Sequence, residues 1–491
     1  MKISFREGVS LRLNSAHQQA TLHWMHITGT GAVEFKHLTP GMLTALQTLA
    51  SEGGINGELT ELVEKTDGIL AGLQWQAYLT KFDKASLLKR TIFDDGKPLM
   101  TLTPKSPFFE FKGRTLEPDK LVKLSRFAYW HCVEEQLILE SPLGYAQLVL
   151  HENEAVTLIG QLRKPSSYRE MAQTTTAVSP TTLAAIFNFL LNASVLTEVD
   201  AVGRASEEKN VTLRQWEFHD LLFHTQSRLG RTLEPVGGIY RFWGEIPSLP
   251  AVKPPMSTHR LPLFRPDIEQ LQREDMPFAQ VMERRKSVRK HGRQPIADKQ
   301  LGEFLYRFAR VTELYEMALT EKGHTEKWSM TKRPYPSGGG RYSLELYVTV
   351  DRCEYIPSAF YHYYPLEHAL YKVSERTELV ERLLALGRPN PYEWQENPQV
   401  LITIAARFQR LFWKYKGFAY AVLLKESGIL TQSMYLVATA MGLAPCEVGI
   451  GDAELFARIA GTDYYAETCI GEFTLGSMPD DDQTGQSDAP V

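Results

Sequence analysis

Basic side chains are concentrated in one short segment, Arg284-Arg285-Lys286-Ser287-Val288-Arg289. The segment carries four cations and one serine hydroxyl and ends just before the turn-like pair His291-Gly292. Arginine can donate paired hydrogen bonds to an anion and a serine hydroxyl can donate one more, so the cluster suits a doubly charged phosphate. A solvated basic face is the competing interpretation of such a run when it is taken alone.

A glycine-rich segment, Pro336-Ser337-Gly338-Gly339-Gly340, leads through Arg341 into a predicted strand at Leu344–Val350. Successive glycines let backbone N–H groups approach a planar ring or an anion where a Cβ atom would obstruct them. A flexible hairpin loop is the alternative. The chain has neither the GxGxxG fingerprint nor the phosphate-loop motif, so nothing favours a Rossmann or nucleoside-triphosphate site.

An almost wholly apolar helix is predicted from Gly428, interrupted by Gln432 and Ser433 and ending at Gly442. A helix this apolar belongs in the core or in a dimer interface. Its two polar side chains need partners, which the edge of a ligand could provide. A second glycine-rich loop, Gly449-Ile450-Gly451, follows it.

These motifs occur in a fixed order: Arg-x-Ser-x-Arg, then Pro-Ser-Gly-Gly before Leu-Glu-Leu-Tyr-Val, then Gly-Ile-Leu-Thr-Gln-Ser-Met-Tyr-Leu. In this order they resemble the nitroreductase superfamily and, within it, the SagB-type FMN-dependent azoline dehydrogenases, above all the cyanobactin thiazoline oxidases. The resemblance covers about Leu213 to Gly476. It implies an α+β fold in which a central mixed sheet is flanked by helices, with FMN bound at a homodimer interface.

The resemblance also implies roles for individual residues. The FMN phosphate and ring edge would be contacted by Arg285, Ser287 and Arg289. The isoalloxazine ring would be contacted, from the partner subunit, by Pro336, Ser337, Gly338 and Gly339. The remainder of the pocket would come from Gln432, Ser433, Gly449, Ile450 and Gly451. Many relatives add basic residues near the C-terminus, but here no Lys or Arg follows Arg458, so Arg341 is expected to supply the missing charge.

An adjacent lysine and tyrosine form the catalytic pair of azoline dehydrogenases, and Lys414-Tyr415 matches that pair in position. Aromatising a thiazoline requires a base that removes a proton from the carbon derived from the cysteine α-carbon. The neighbouring ammonium could favour a Tyr415 phenolate, and partial burial could lower the pKa of Lys414, so either residue could act. The alternative is a surface turn with solvated cations.

The segments before these motifs predict the domain organisation. Two successions of strand, helix and strand fit two small winged-helix units, residues 1–115 and 116–205, which resemble the peptide-recognition elements found beside such oxidases. An amphipathic connector helix at Leu213–Arg228 and an extended proline-rich strap at Pro247–Pro266 belong to a linker, residues 206–260. The oxidase domain then covers 261–476, and the acidic segment 477–491 is expected to be a disordered tail.

Composition limits the other classes of function. The chain has 491 residues, a net charge of -4 and no apolar run of membrane-spanning length or secretory signal, so we expect a cytoplasmic protein that binds neither membrane nor nucleic acid. Its four cysteines lack a CxxC pair, and His219 and His224 do not share one helical face, so no metal site is expected.

The expected function is FMN-dependent oxidation of thiazoline or oxazoline rings to azoles in a ribosomally made precursor peptide, with dioxygen reoxidising the flavin. The expected partners are a second copy of the chain, the azoline-containing precursor peptide and other enzymes of the same peptide-modifying pathway. Two alternatives remain open: an NAD(P)H-dependent nitro- or quinone reductase, and a non-catalytic peptide-binding scaffold. His362 and His368, which lie among several tyrosines, could line a peptide cleft, although ordinary packing is the simpler interpretation.

Overall fold

The computed structural model describes residues 1–14, 18–26, 29–113, 117–233, 237–321, 323–388 and 396–479. The chain divides into two compact units, Met1–Val236 and Gly237–Val491. Of the predicted tail, residues 480–491 lie outside the described ranges. Within those ranges, no helix combines the length and the apolar character that crossing a bilayer requires.

The first half of the N-terminal unit combines a three-stranded sheet, β2-β3-β4, with three helices. Its elements are β1 (Lys2–Phe5), β2 (Val9–Asn14), β3 (Gln19–His26), β4 (Gly29–Phe35), α1 (Pro40–Ala50), α2 (Asn56–Asp67), α3 (Ile69–Lys84), β5 (Leu88–Asp94) and β6 (Lys97–Pro104). Proline in the first turn suits the start of α1, where the missing N–H has no partner to lose.

The second half repeats this combination of a small sheet and helices. Its elements are β7 (Leu121–Leu124), β8 (Tyr129–Val133), β9 (Gln136–Glu140), β10 (Ala146–Leu150), α4 (Asn153–Gln161), β11 (Ser166–Ser167), α5 (Tyr168–Thr174), α6 (Pro180–Asn192), β12 (Leu196–Glu198), α7 (Ser206–Lys209) and α8 (Phe218–Gln226). Ser179 caps α6, because its hydroxyl accepts the backbone N–H of Thr182 at 3.1 Å.

One six-stranded sheet, in the order β1-β5-β6-β10-β9-β8, runs through both halves. The halves join where β6 pairs with β10, from Pro104 opposite Ala146 to Met100 opposite Leu150. The two winged-helix units that the sequence predicts as separate domains are therefore joined by backbone hydrogen bonds.

The C-terminal unit is built on a seven-stranded sheet in the order β13-β18-β17-β16-β19-β21-β20. Its elements are β13 (Arg260–Pro262), α9 (Ile268–Glu274), α10 (Phe278–Arg284), α11 (Asp298–Ala309), β14 (Glu313–Glu321), β15 (His324–Lys332), β16 (Leu344–Val350), β17 (Ala359–Tyr364), β18 (Ala369–Glu375), α12 (Glu378–Leu386), β19 (Val400–Arg407), α13 (Phe408–Phe412), α14 (Ala419–Ala440), β20 (Leu443–Val448), α15 (Ala453–Ala460) and β21 (Glu467–Ser477). Each neighbouring pair in this sheet is antiparallel, rather than mixed as the sequence resemblance implied.

Helices cover both faces of this sheet, which confirms the predicted α+β fold. On one face, Phe304 of α11 and Met434 of α14 pack with Val348 in the main core. On the other face, Leu383 of α12 and Phe456 of α15 pack with other strand residues in a second core. Successive strand residues point to opposite faces, so a sheet buried on both sides needs the nearly continuous apolar runs that these strands have.

Two helical predictions differ from the structure. The connector at Leu213–Arg228 is not one helix, because the backbone is extended at Trp216 and Glu217 before α8 begins. The apolar helix predicted from Gly428 is the second half of a longer one, because α14 begins at Ala419 and continues through Gly428, which faces open space.

The proline-rich strap, Pro247–Pro266, has regular structure only at the short strand β13. Buried arginines of the sheet and its neighbouring helices hold it in place. Arg407 donates to Pro250 O at 3.1 Å, and Arg410 donates to Leu249 O at 2.5 Å. The strap carbonyls therefore add acceptors for two buried guanidinium groups, which also donate to Glu345 and to Arg341 O.

Candidate active site

The basic segment that the sequence singled out lies in extended backbone directly after α10, against α14 and β20. Val288 is buried, and its N–H donates to Pro445 O at 2.7 Å. Ser287 Oγ lies 2.9 Å from the Tyr435 hydroxyl, and the Arg285 guanidinium lies 5.4 Å from the Tyr435 ring centroid. Arg289 is exposed. The segment thus brings the Arg285 guanidinium and the Ser287 hydroxyl to Tyr435, with the exposed Arg289 two residues further along the chain.

Tyr435 organises this group, although sequence reasoning did not select it. Its hydroxyl also accepts the backbone N–H of Glu447 at 2.8 Å, so one side chain of α14 connects Ser287 with strand β20. The available signal was a hydroxyl inside an otherwise apolar helix, three residues after Gln432. We therefore add Tyr435 to the candidate site.

The second glycine-rich loop, Gly449–Gly451, continues from β20 at the same edge of the sheet. Ile450 is 84% exposed, and a Cβ atom at Gly451 would lie 2.8 Å from the Glu472 carboxyl carbon. Glu472 is itself buried, and burial raises the pKa of its carboxyl to about 7. The loop therefore passes close over a buried carboxyl group that only glycine leaves room for.

The Pro336–Gly340 segment forms a tight turn on the opposite side of α14. Glu426 Oε1 accepts hydrogen bonds from the Ser337 hydroxyl at 3.0 Å and from the Gly338 N–H at 2.6 Å. Gly339 and Gly340 have φ of 60° and 66°, in the left-handed region that favours glycine. Pro336 is exposed. The backbone of this turn is thus open on one side and fixed on the other.

Lys414 and Tyr415 lie directly against this turn. A Cβ atom built on Gly339 would collide with both Lys414 Nζ and the Tyr415 hydroxyl oxygen. Lys414 Nζ lies 5.3 Å from the Tyr415 ring centroid and 5.8 Å from that of Tyr240, and Lys414 O accepts the Tyr240 N–H at 3.2 Å. The structure therefore brings the predicted catalytic pair and the first glycine turn together.

The pKa shifts of this pair distinguish the two residues. Burial, reinforced by the nearby Arg341 charge, lowers the pKa of Lys414. Burial raises the pKa of Tyr415, and the Arg341 charge offsets this only in part. The neutral amine and the neutral phenol are the forms that this environment favours.

Arg341 does not lie with the phosphate cluster, where the resemblance had placed it. It is 1% exposed, its Nε donates to Arg410 O at 3.1 Å, and its Nη2 donates to Ser248 Oγ. The guanidinium also lies 5.2 Å from the Trp413 ring centroid. Its charge therefore lies close enough to affect the pKa values of Lys414 and Tyr415. Its N–H groups donate to the strap and to α13.

Gln432 and Ser433 point away from both groups. Gln432 is exposed, and Ser433 donates to Ile429 O one turn earlier at 3.0 Å. Leu424 and Ile429, on the same outer side of α14, are 41% and 39% exposed. The contact of Gln432 and Ser433 with a ring stays a prediction; within one chain Gln432 faces solvent and Ser433 is half-buried.

The two clustered histidines belong to the core and not to a cleft. His362 is fully buried, with its Nε2 3.2 Å from a Glu345 oxygen. His368 bonds to the Tyr363 hydroxyl at 2.9 Å and to Phe264 O at 2.8 Å. Ordinary packing, the simpler interpretation, is what the structure has.

The donors of these two groups of residues fit an FMN cofactor. Two guanidinium groups and the hydroxyls of Ser287 and Tyr435 match a phosphate, which needs several charge-assisted donors. The turn at Gly339, whose backbone lies open beside two partly buried polar side chains, matches a planar ring. Among the described residues no group of His, Cys, Asp and Glu has the arrangement of a metal site.

Three family models match consecutive parts of the chain. They are the ThcOx helix-turn-helix domain at residues 1–112, the cyanobactin oxidase ThcOx at residues 122–233 and the nitroreductase family at residues 282–477. The nitroreductase homologue MJ1384 of Methanocaldococcus jannaschii is 32% identical over 186 residues, 38% of this chain and 81% of that protein. The microcin B17-processing protein McbC of Escherichia coli is 32% identical over 117 residues, 23% of this chain and 42% of that protein.

Solved structures are similar at lower identity. One is the Escherichia coli microcin synthetase McbBCD complex with truncated pro-MccB17 bound, at 21% identity and a TM-score of 0.32, covering 44% of this chain and 78% of that chain. Another is a nitroreductase family protein from Clostridium novyi, at 14% identity and a TM-score of 0.27, covering 42% of this chain and 87% of that chain.

The C-terminal unit has the fold and the chain order of motifs of a nitroreductase-type oxidoreductase. The chain belongs to the nitroreductase family, and its N-terminal 233 residues match the models of the cyanobactin oxidase and its helix-turn-helix domain. The resemblance found in the sequence is thereby confirmed.

Proposed function

We propose that the protein binds FMN and uses it to dehydrogenate azoline rings in a ribosomally made precursor peptide. The observation that carries this proposal is the placement of Lys414 and Tyr415 against the glycine turn at Gly339. A reductase that only passes electrons from a nicotinamide to an acceptor needs no such base. The cyanobactin oxidase and McbC likenesses support the same substrate class.

Lys414 is the proposed base. Its lowered pKa favours the neutral amine, which can take the proton from the ring carbon derived from the cysteine α-carbon. Tyr415, whose pKa is raised, keeps its proton and can donate a hydrogen bond to the substrate. Bound FMN would accept the hydride from the neighbouring carbon and would pass its electrons on to dioxygen.

Arg285 and Arg289 are proposed to hold the cofactor phosphate together with Ser287 and Tyr435. The exposed Arg289 and the open loop at Gly449–Gly451 support a ligand that reaches this edge from outside. Because no Lys or Arg follows Arg458, these two arginines would carry most of the phosphate charge.

We also propose that the active unit is a homodimer. Tyr435 and Glu426 are nine residues apart on α14, so they lie roughly 13 Å apart along the helix and on opposite sides of it. The phosphate group and the glycine turn of one chain are thus separated by α14. Pairing through the exposed face around Leu424 and Ile429 would let a partner subunit complete each site.

The N-terminal unit is proposed to grip the precursor peptide and to cooperate with other enzymes of the same pathway. Strand β8 ends the six-stranded sheet, so its outer edge can accept a further strand. Strand addition depends on backbone hydrogen bonds rather than on charge, and it is compatible with a net charge of -4.

A mass measurement tests the proposal. The purified, flavin-loaded protein is incubated aerobically with a peptide that contains thiazoline, and each ring should lose two hydrogens. A colourless protein from a flavin-replete host would refute FMN binding. Rapid bleaching of the flavin by NADPH, with no mass change in the peptide, would instead identify a nitro- or quinone reductase, and a yellow protein inert in both assays would favour the scaffold.

A further inference from the structure

Glu426 is a buried carboxyl group that the proposed chemistry does not use. It is 2% exposed on α14, and its Oε1 accepts both the Ser337 hydroxyl and the Gly338 N–H. Its Oε2 is buried and has no hydrogen-bond partner among the described residues. Burying a carboxyl oxygen without a partner lowers the stability of the fold. The benefit of Glu426 must therefore come from the two hydrogen bonds that Oε1 accepts.

The bonds to Glu426 fix the glycine turn at both of its ends. Ser337 Oγ, which donates to Glu426, also accepts the N–H of Tyr342 at 2.8 Å and so closes the turn. Gly338 packs so closely on α14 that an added Cβ would lie 2.5 Å from Val422 Cγ1. The next residue, Gly339, lies against Lys414 and Tyr415. The position of Glu426 Oε1 therefore sets the distance between α14 and the turn.

We propose that Glu426 is a positioning residue, which holds the Ser337–Gly339 turn against the Lys414–Tyr415 pair by accepting two hydrogen bonds. The inference deepens the proposed function and rests on it for the identity of the bound ring. Glu426 acts through the turn and does not itself touch substrate. A glutamine can accept the same two bonds with its carbonyl oxygen, whereas an alanine can accept neither.

Hydrogen–deuterium exchange tests the positioning without relying on bound cofactor. The full chain and its Glu426→Ala, Glu426→Gln and Glu378→Ala variants are compared by mass spectrometry, with attention to peptides that span 336–342. Glu378 is an exposed glutamate of α12 and serves as the matched control. FMN affinity is measured for the same four proteins by quenching of flavin fluorescence.

In Glu426→Ala, exchange should rise in 336–342 while the sheet stays protected, and FMN binding should weaken roughly tenfold. Glu426→Gln should restore both properties, and Glu378→Ala should match the wild type. This rescue keeps the test decisive even if Glu426→Ala folds poorly.

Three results would overturn the positioning role: unchanged exchange in Glu426→Ala, increased exchange throughout the C-terminal unit, or a Glu426→Gln protein as exposed at 336–342 as the alanine variant. A wild type that binds no FMN, but whose turn is protected by Glu426, would refute the proposed function and would support the positioning of the turn. The experiments can therefore refute the positioning role of Glu426 and the proposed function independently of each other.

Discussion

Glu426 should also make the stability of the C-terminal unit depend on pH. Burial raises the pKa of its carboxyl from the usual 4.5 to about 7, and the bonds from Gly338 and Ser337 and the charge of Arg410 offset only part of this rise. Between these values the folded protein keeps a proton that the unfolded chain has released. The stability that this proton contributes is complete below about pH 4.5 and is lost as the pH rises through about 7.

The magnitude follows from the size of this rise in pKa. The free energy of unfolding changes by about 3 kcal/mol over the whole titration. About 2 kcal/mol of this change falls between about pH 5.5 and about pH 8.5. Glu426→Gln removes the titration and keeps the accepted hydrogen bonds. The stability of the variant relative to the wild type should therefore be about 2 kcal/mol higher at the upper end of this interval than at the lower end. The difference between their melting temperatures should be larger at the higher pH by roughly 4–8 °C.

Scanning calorimetry at the two pH values measures this difference. The thermal transition that Glu426→Gln shifts is assigned to the C-terminal unit, and Glu378→Gln provides the control because Glu378 is exposed. Equal shifts of the Glu426→Gln transition at both pH values would refute the reasoning, since they would mean that Glu426 titrates as an exposed glutamate does. A larger shift at the lower pH would refute it as well.

Five further substitutions separate the parts of the site. Gly339→Ala should reduce turnover at least roughly tenfold in the peptide mass assay, because the methyl group meets Lys414 and Tyr415 in a left-handed backbone conformation. Arg341→Met should lower the melting temperature but leave FMN affinity near the wild type, whereas Arg285→Ala should weaken FMN binding roughly tenfold in calorimetric titration. Tyr415→Phe should keep more activity than Lys414→Met. The wild-type rate should rise with pH, with a midpoint below the usual lysine pKa of 10.5. A rate that falls with rising pH would exclude a lysine base.

Candidate site residues that are neighbours in the chain could be predicted from the local sequence. Arg285, Ser287 and Arg289 are alternate residues, so an extended backbone turns all three to the same side. Lys414 and Tyr415 are adjacent and needed only the family order to be noticed. The flanked sheet followed from the family resemblance, and its strand Leu344–Val350 from an apolar run. What these motifs share is that no distant residue decides their placement.

Long-range contacts decided the residues whose placement the sequence did not predict. Arg341 is next to the glycine turn in the chain, but Ser248 and Arg410, both distant in sequence, accept its donors and draw it inward. The apolar residues of α14 surround the helix on nearly all sides, so their spacing does not show that Gln432 faces solvent and Tyr435 faces Ser287. The family resemblance points to Gln432 and Ser433, whereas in the structure Tyr435 is the residue of this helix that contacts Ser287.

Helix α14 separates the two groups of candidate site residues within one chain. Its buried side at Tyr435 organises the basic segment, and its other side, at Glu426, holds the glycine turn and through it the Lys414–Tyr415 pair. A ligand bound within one chain would have to pass around the helix to reach both. In a two-fold dimer formed along the exposed face at Ile429, the turn of one subunit can lie beside the basic segment of the other. Monomeric variants with a charge at Ile429 should therefore lose FMN and turnover together while each subunit stays folded, and a monomer that retains full FMN affinity would contradict the shared site.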